Sequence, residues 1–288
     1  MMPYTAQNIL EEIGLKMKYF KRMIMVIFLL VCSAYGNEKL VFGVNPYKDA
    51  TALKAEYDEL LVYLEKELRC EIVFVVSNDY SHLATLIESK KVDFASISPK
   101  LFATIRQKIH HTQYLATIQI MDKENKPTST YRGLIVAQNN GSMRSLSDLK
   151  GKRFGFTDKE STSGYFYPRI LLKEAGIDPD KDFSQVFMLK KHPKIIGALL
   201  QNSIDAGAVY EGTYEEMKQE IGDALSIIAT TEEIPYDAIV ASPHLSQNLA
   251  EKIKGALLNF HSNTRIEDAI VGFEEKSVWV YDRLSTLQ

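Results

Sequence analysis

The stretch KLVFGVNPYKDATALKAEYDELLVYLEKELRCEIVFVV, residues 39–76, decides the fold. Two short runs rich in Val, Ile and Phe, KLVFGV and EIVFVV, flank residues 51–68, whose pattern is that of an amphipathic helix. Strand, helix and strand in that order make a βαβ unit. The alternation continues outward. Tyr80–Ser89 reads as a second helix, VDFASI (92–97) as a third strand, and Pro99 stands at the start of a third helix. QYLATIQI (113–120) is a further strand. This order predicts an α/β fold with a largely parallel sheet and helices on both faces.

MDKENKPTST (121–130) is polar and reads as a turn or hairpin tip. YRGLIVAQ (131–138) then begins a second series: a short helix and strand in SLSDLKGKRFGF (145–156), a helix after residue 161, a strand in SQVFMLK, a helix over about 193–201, and strands in DAGAVY and SIIAT. IPYDAIVAS (234–242) is a strand whose proline suggests entry from elsewhere, and SQNLAEKIKGALLNF is an amphipathic helix. Two α/β lobes are expected, 37–130 and 131–233, with 234–288 returning to the first lobe and two crossovers at a hinge. Composition alone does not establish that return.

The first forty residues differ. A basic cluster (Lys16, Lys18, Lys21, Arg22) precedes an apolar run from Met23 to Val31, and the small residues Ala34 and Gly36 follow. The run is short for a membrane span, so residues 1–36 are expected to be a cleaved secretory signal rather than a retained anchor, with translation starting at Met17. The expected location is the periplasm. Without residues 1–36, which hold four basic and two acidic residues, the net charge goes from −3 to −5, which argues against a nucleic-acid partner. Cys70 is then the one cysteine left, so no internal disulfide is expected.

The motif that bears on function is STSG, residues 161–164. Three hydroxyl side chains meet a glycine where a helix begins, with Pro168 in its first turn and Gly176 as its stop. A helix N-terminus leaves N–H groups unpaired and its dipole favours anions, so added hydroxyls make a cradle for a tetrahedral oxyanion. One hydroxyl would serve as an ordinary N-cap; three exceed that need.

These segments together (YRGLIVAQ, SLSDLKGKRFGF, STSGYFYP, His192, DAGAV, IPYDAIVAS and PHL) resemble the phosphate, phosphite and phosphonate-binding proteins of ABC importers. The resemblance runs from about Val41 to Leu258. It implies a two-lobed, type II periplasmic-binding-protein fold that closes on a ligand in the cleft. By position it places the ligand contacts on Tyr80, Tyr131, Ser161, Thr162, Ser163, His192 and Asp237. Two departures stand out. SISPKLF (96–102) replaces a glycine–proline turn followed by Ser-Tyr, and Gly212 falls where aminophosphonate binders carry a glutamate, although Glu211 is adjacent.

The residue types cohere chemically. Hydroxyls and an imidazole N–H donate to P–O⁻ oxygens, whereas an ionised Asp237 only accepts and so favours a ligand that carries a P–OH. Sulfate, with no proton at neutral pH, would be rejected. Each residue also has a plainer reading: His192 could cap the helix after it, Tyr80 could be core, and Asp205 fits a strand end better than a ligand contact. A hydrolase triad from Ser161 or Ser163, His192 and Asp237 finds no G-x-S-x-G elbow, so no enzyme is expected. Scattered histidines and a lone cysteine give no metal site, and no cofactor is expected. The reading is a monomeric receptor that hands a small phosphorus oxyanion to an inner-membrane ABC permease. The competing reading is a periplasmic sensor that presents its oxyanion to a membrane histidine kinase.

Overall fold

The structure is a computed structural model, and it describes residues 39–109, 111–122, 124–139, 142–264 and 268–285. The expected signal segment, 1–36, lies outside the described residues. Among the described residues no helix is long and apolar enough to cross a membrane.

The first series forms strands β1 (Lys39–Val44), β2 (Glu71–Val76), β3 (Phe94–Ile97), β4 (Gln113–Met121) and β5 (Pro127–Thr128), with helices α1 (Ala50–Leu68), α2 (Tyr80–Glu88) and α3 (Pro99–Lys108). The polar segment is a β4–β5 hairpin in which Met121 faces Pro127. Its turn is held by the Asp122 carboxylate, which accepts from Glu124 N and Lys126 N. The chain then crosses through β6 (Thr130–Tyr131) into β7 (Gly133–Gln138), β8 (Arg153–Phe156), α4 (Tyr167–Glu174), β9 (Gln185–Met188), α5 (His192–Leu200), β10 (Ala206–Tyr210), α6 (Glu211–Glu216), α7 (Lys218–Ile221) and β11 (Leu225–Thr230). It recrosses through β12 (Ile234–Pro235) to β13 (Ala238–Ala241), α8 (Gln247–Leu258), β14 (Ile270–Glu274) and α9 (Trp279–Asp282).

Two main sheets result. The first has the order β14-β4-β13-β3-β1-β2, with β5 beside β4, and the second has the order β11-β7-β10-β8-β9. β12 and β6 pair antiparallel as a two-stranded ribbon, Ile234 opposite Tyr131 and Pro235 opposite Thr130. A proline suits such a ribbon, because half of each strand's N–H groups face away from the partner.

The largely parallel sheet that the βαβ rhythm predicts does not form. β1 pairs with β3 in parallel, as do β10 with β8 and β8 with β9. However, β13 is antiparallel to both β3 and β4, and β7 is antiparallel to both β10 and β11. β7 and β13, the strands that arrive from the other lobe, run against their sheet neighbours, and β14, which returns beside β4, is antiparallel as well.

Each sheet is covered on both faces. Phe42 of β1 stacks on Phe94 of β3 at 4.5 Å between ring centroids, under Leu53, Leu60 and Leu64 of α1. The opposite face packs Leu83 and Ile87 of α2 with Leu101, Phe102 and Ile105 of α3. In the second sheet Ile195, Ile196 and Leu199 of α5 cover one face, and Leu172 of α4 covers the other with Phe154 and Phe156. Burying such side chains stabilises by roughly 1.5–3 kcal/mol each, which holds the helix starts in place.

Candidate functional site

Three helices and one widened turn begin at the same place. α2 starts at Tyr80, capped by Asp79, whose carboxylate accepts from His82 N at 2.7 Å. α3 starts at Pro99, capped by Ser98, whose hydroxyl accepts from Leu101 N at 3.2 Å. α5 starts at His192. The STSG segment opens the fourth element, and its geometry is not the plain α-helical start that its sequence predicts. Thr162–Phe166 forms a π turn, with Phe166 N donating to Ser161 O at 3.0 Å and Tyr167 N to Thr162 O, before α4 takes over. Pro168 follows in the first turn of α4 and has no N–H to give Gly164 O. That carbonyl accepts from Thr157 N instead, at 3.1 Å.

Between these starts lies a cavity of about 60 Å³. A water needs roughly 10–15 Å³, so the space suits a ligand of about five non-hydrogen atoms. Tyr80, Tyr131, Ser161, Thr162, Ser163, His192 and Asp237, the seven residues picked out by sequence, all line it. Tyr47, Tyr57, Ser98, Tyr210, Tyr236 and Asp268 also line it and were not foreseen. Ser98 belongs to the departing SISPKLF stretch, and that was its one signal. Among the described residues no lysine or arginine lines the cavity.

The donors are held ready. Ser161 Oγ accepts from Gly164 N at 3.1 Å, so the N-cap reading is true of its lone pair, and its hydroxyl also hydrogen-bonds with the Tyr80 phenol beside it. Thr162 Oγ1 accepts from Lys100 N at 2.9 Å, a bond between the second lobe and α3 of the first. Ser98 Oγ donates to Glu160 O at 2.8 Å across the same cleft. Gly164 has no room for a side chain, because a Cβ would lie 2.0 Å from Thr157 Oγ1.

His192 does not cap α5. Its Nδ1 accepts from the backbone N–H of Tyr210 at 2.9 Å, which leaves the ring proton on Nε2. Burial and then the Lys48 ammonium push its pKa down to about 3, so the ring is a neutral donor at any physiological pH. Tyr80 and Tyr131 are buried, and burial followed by the Asp237 carboxylate raises both phenols well above their ordinary value. They too stay protonated. Tyr80 is core and cavity wall at once, packing with Leu83 and Ile87 while it lines the cavity.

Asp237 sits between β12 and β13, and Tyr131 ends β6, so both crossings place a side chain on the cavity. Tyr131 stacks on Tyr236 at 4.8 Å between centroids, which stiffens that ribbon. The Asp237 carboxylate accepts one hydrogen bond, from Asn45 Nδ2 at 3.3 Å, and burial outweighs it, raising the pKa to about 7. Asp205 is elsewhere: it accepts from Arg153 N at 2.8 Å and pairs with the Arg153 guanidinium at 2.7 Å, pinning the ends of β8 and β10 together.

Residues 42–277 match the family model for the ABC-transporter phosphonate periplasmic substrate-binding protein. The chain belongs to this family. A phosphate-import protein of Mycolicibacterium smegmatis is 25% identical over 228 residues, 75% of this chain and 70% of that one. The structure of PhnD1 from Prochlorococcus marinus in complex with methylphosphonate superposes with a TM-score of 0.77 at 19% identity, covering 88% of this chain and 97% of that one. The tetrathionate sensor histidine kinase of Salmonella typhimurium is 21% identical over 244 residues, 80% of this chain and 41% of the kinase. The fold is thus the two-lobed periplasmic-binding-protein fold, and the family is one of substrate-binding transport components.

Proposed function

We propose that the protein captures a small phosphorus oxyanion in the periplasm and presents it to an ABC permease. The observation that carries this is the cavity at four helical starts, lined by hydroxyls, phenols, a neutral imidazole and the carboxyls of Asp237 and Asp268, with no lysine or arginine among the described residues. Four partial positive dipole ends favour an anion, and the donors fix its oxygens. Ser161, Thr162, Ser163 and His192 hold the anion from the second lobe. Tyr80 holds it from the first, and Tyr131 and Asp237 from the hinge. Ligand therefore ties both lobes and favours closure, the state a permease reads.

Asp237 sets the proton count. When ionised it accepts from a P–OH, which hydrogenphosphate, hydrogenphosphite or a monoprotonated phosphonate supplies and sulfate does not. Binding in the micromolar range needs about −8 kcal/mol, within reach of a few charge-assisted hydrogen bonds in a dry cavity. The protein is a receptor rather than an enzyme, because His192 spends Nδ1 on a backbone N–H where a hydrolase would place an acid. Residues 1–36 serve as a cleaved export signal.

Calorimetry on ligand-stripped protein tests the reading: tight binding of one phosphorus anion is expected, and no binding across phosphate, phosphite and methylphosphonate would refute it. The likeness to the sensor kinase supports a second reading, in which the same cavity reports its oxyanion to a kinase. Permease and ATPase genes beside this one would favour transport, and kinase and regulator genes would favour sensing.

A further inference from the structure

The cavity wall formed by Tyr47, Tyr210, Tyr236 and Asp268 is backed by ions. Lys48, just past β1, is 2% exposed, and its ammonium meets three carboxylates: Glu56 Oε1 at 2.7 Å, Glu216 Oε2 at 2.7 Å and Asp268 Oδ2 at 2.8 Å. An ammonium has three protons, and each finds an oxygen here. The acids come from α1, α6 and the segment before β14, so nothing local in the chain gathers them. Burial works against the Lys48 charge, yet Asp268 and Glu56 more than offset it and hold the pKa well above the lysine range.

Asp268 is the piece of this cluster that reaches the cavity. Its second oxygen accepts from Tyr210 Oη at 2.9 Å, and Tyr210 Oη also meets Tyr236 Oη at 2.9 Å. Gly212 locks the arrangement from behind. A Cβ there would lie 2.3 Å from the Tyr210 ring and 2.4 Å from Asp268 Oδ1. The wall is therefore rigid, and the one acid of the cluster that faces the cavity, Asp268, already has a cation behind it.

We propose that Lys48 determines which ligands fit: it puts the protein's own cation where a ligand's amine would otherwise pair, so the site takes an oxyanion without a cationic tail. This rests on the reading of the cavity as a phosphorus-oxyanion site. An aminoalkylphosphonate entering the wild-type cavity would bring its ammonium to Asp268, where each oxygen already has a partner in Lys48 or Tyr210, and a poorly paired buried charge is disfavoured. Removing Lys48 reverses the situation, because Glu56, Asp268 and Glu216 then lack a cation and a ligand amine can restore one.

The test titrates wild type, Lys48→Ala and Lys48→Met with methylphosphonate and with aminomethyl-, 2-aminoethyl- and 3-aminopropylphosphonate. Wild type is expected to bind methylphosphonate at least about 100-fold more tightly than any amine homologue. Lys48→Ala should lose no more than about tenfold on methylphosphonate and gain at least tenfold on one homologue, whose length reports the distance from the cradle. Lys48→Met, which fills the space without charge, should gain less than Lys48→Ala. Wild type binding an aminophosphonate as tightly as methylphosphonate would overturn the proposal, as would a Lys48→Ala protein that binds methylphosphonate and no homologue better than wild type does. Should Lys48→Ala not fold, the same gain is read on Lys48→Met, because a cavity of about 60 Å³ would disfavour the longer homologues in the wild type whatever the charge on its wall. A wild type that binds no phosphorus anion at all would sink the cavity reading first and this inference with it.

Discussion

Asp237 and Asp268 face the same cavity and do opposite jobs. Asp268 gives one oxygen to Lys48 and the other to Tyr210, so each of its oxygens already has a partner within the protein. Asp237 has one weak partner, Asn45, and among the described residues no lysine or arginine shares its cavity, and burial lifts its carboxyl to about 7. A paired acid is part of the wall, whereas an unpaired one waits for a proton that a ligand brings. The contrast shows how a site can select an anion by what it leaves unsatisfied.

The largest effect should come from the cradle opposite both acids. Ser161→Ala combined with Thr162→Ala removes two donors to a charged ligand, a loss of about 3–6 kcal/mol or roughly 10²–10⁴-fold in affinity. Calorimetry reads the loss, while a melting curve close to wild type shows that the fold persists. Retained affinity would mean the anion sits elsewhere.

Asp237→Asn should sharpen the comparison next. The folded value of Asp237, about 7, lies above its ordinary 3.8 because of burial, so ionisation costs the empty protein. Stability present below the ordinary value is lost as the pH rises through about 7. Relief of that cost is worth roughly 2–4 kcal/mol at pH 9 and vanishes near pH 4. Urea unfolding of the ligand-free variant at both pH values checks the sign. The same variant offers sulfate an N–H donor and should bind it.

Tyr210→Phe removes the hydroxyl shared by Asp268 and Tyr236 and should cost about 0.5–1.5 kcal/mol of stability, with less than tenfold change in methylphosphonate affinity. Asp205→Asn should matter least. It loosens the partly exposed pair with Arg153, costs up to about 1 kcal/mol in thermal melts and leaves binding unchanged. A binding defect there would mean the strand ends and the cavity are coupled.

Much of this was readable in the chain. The strand and helix series announced itself through apolar spacing, and Ser161, Thr162 and Ser163 stood out because three hydroxyls exceed what a cap requires. The mixed sheets were not readable, since strand direction depends on where a crossing strand enters. Nor was the π turn, in which Phe166 N reaches Ser161 O and Gly164 O is met by Thr157 N from another segment. The Lys48 cluster was the least visible. Its members at 48, 56, 216 and 268 share no motif, and each alone reads as a surface charge. Gly212 was noticed as a departure from aminophosphonate binders, and the structure gives its reason in the space that Tyr210 and Asp268 occupy.

The most direct measurement is a calorimetric titration of residues 37–288, stripped of ligand by mild unfolding, at pH 8. The titrants are phosphate, phosphite, methylphosphonate, 2-aminoethylphosphonate, arsenate and sulfate. The account predicts tight binding of a phosphorus anion that has no amine, with sulfate silent. Sulfate bound as tightly as that anion, or silence across the whole panel, would contradict it.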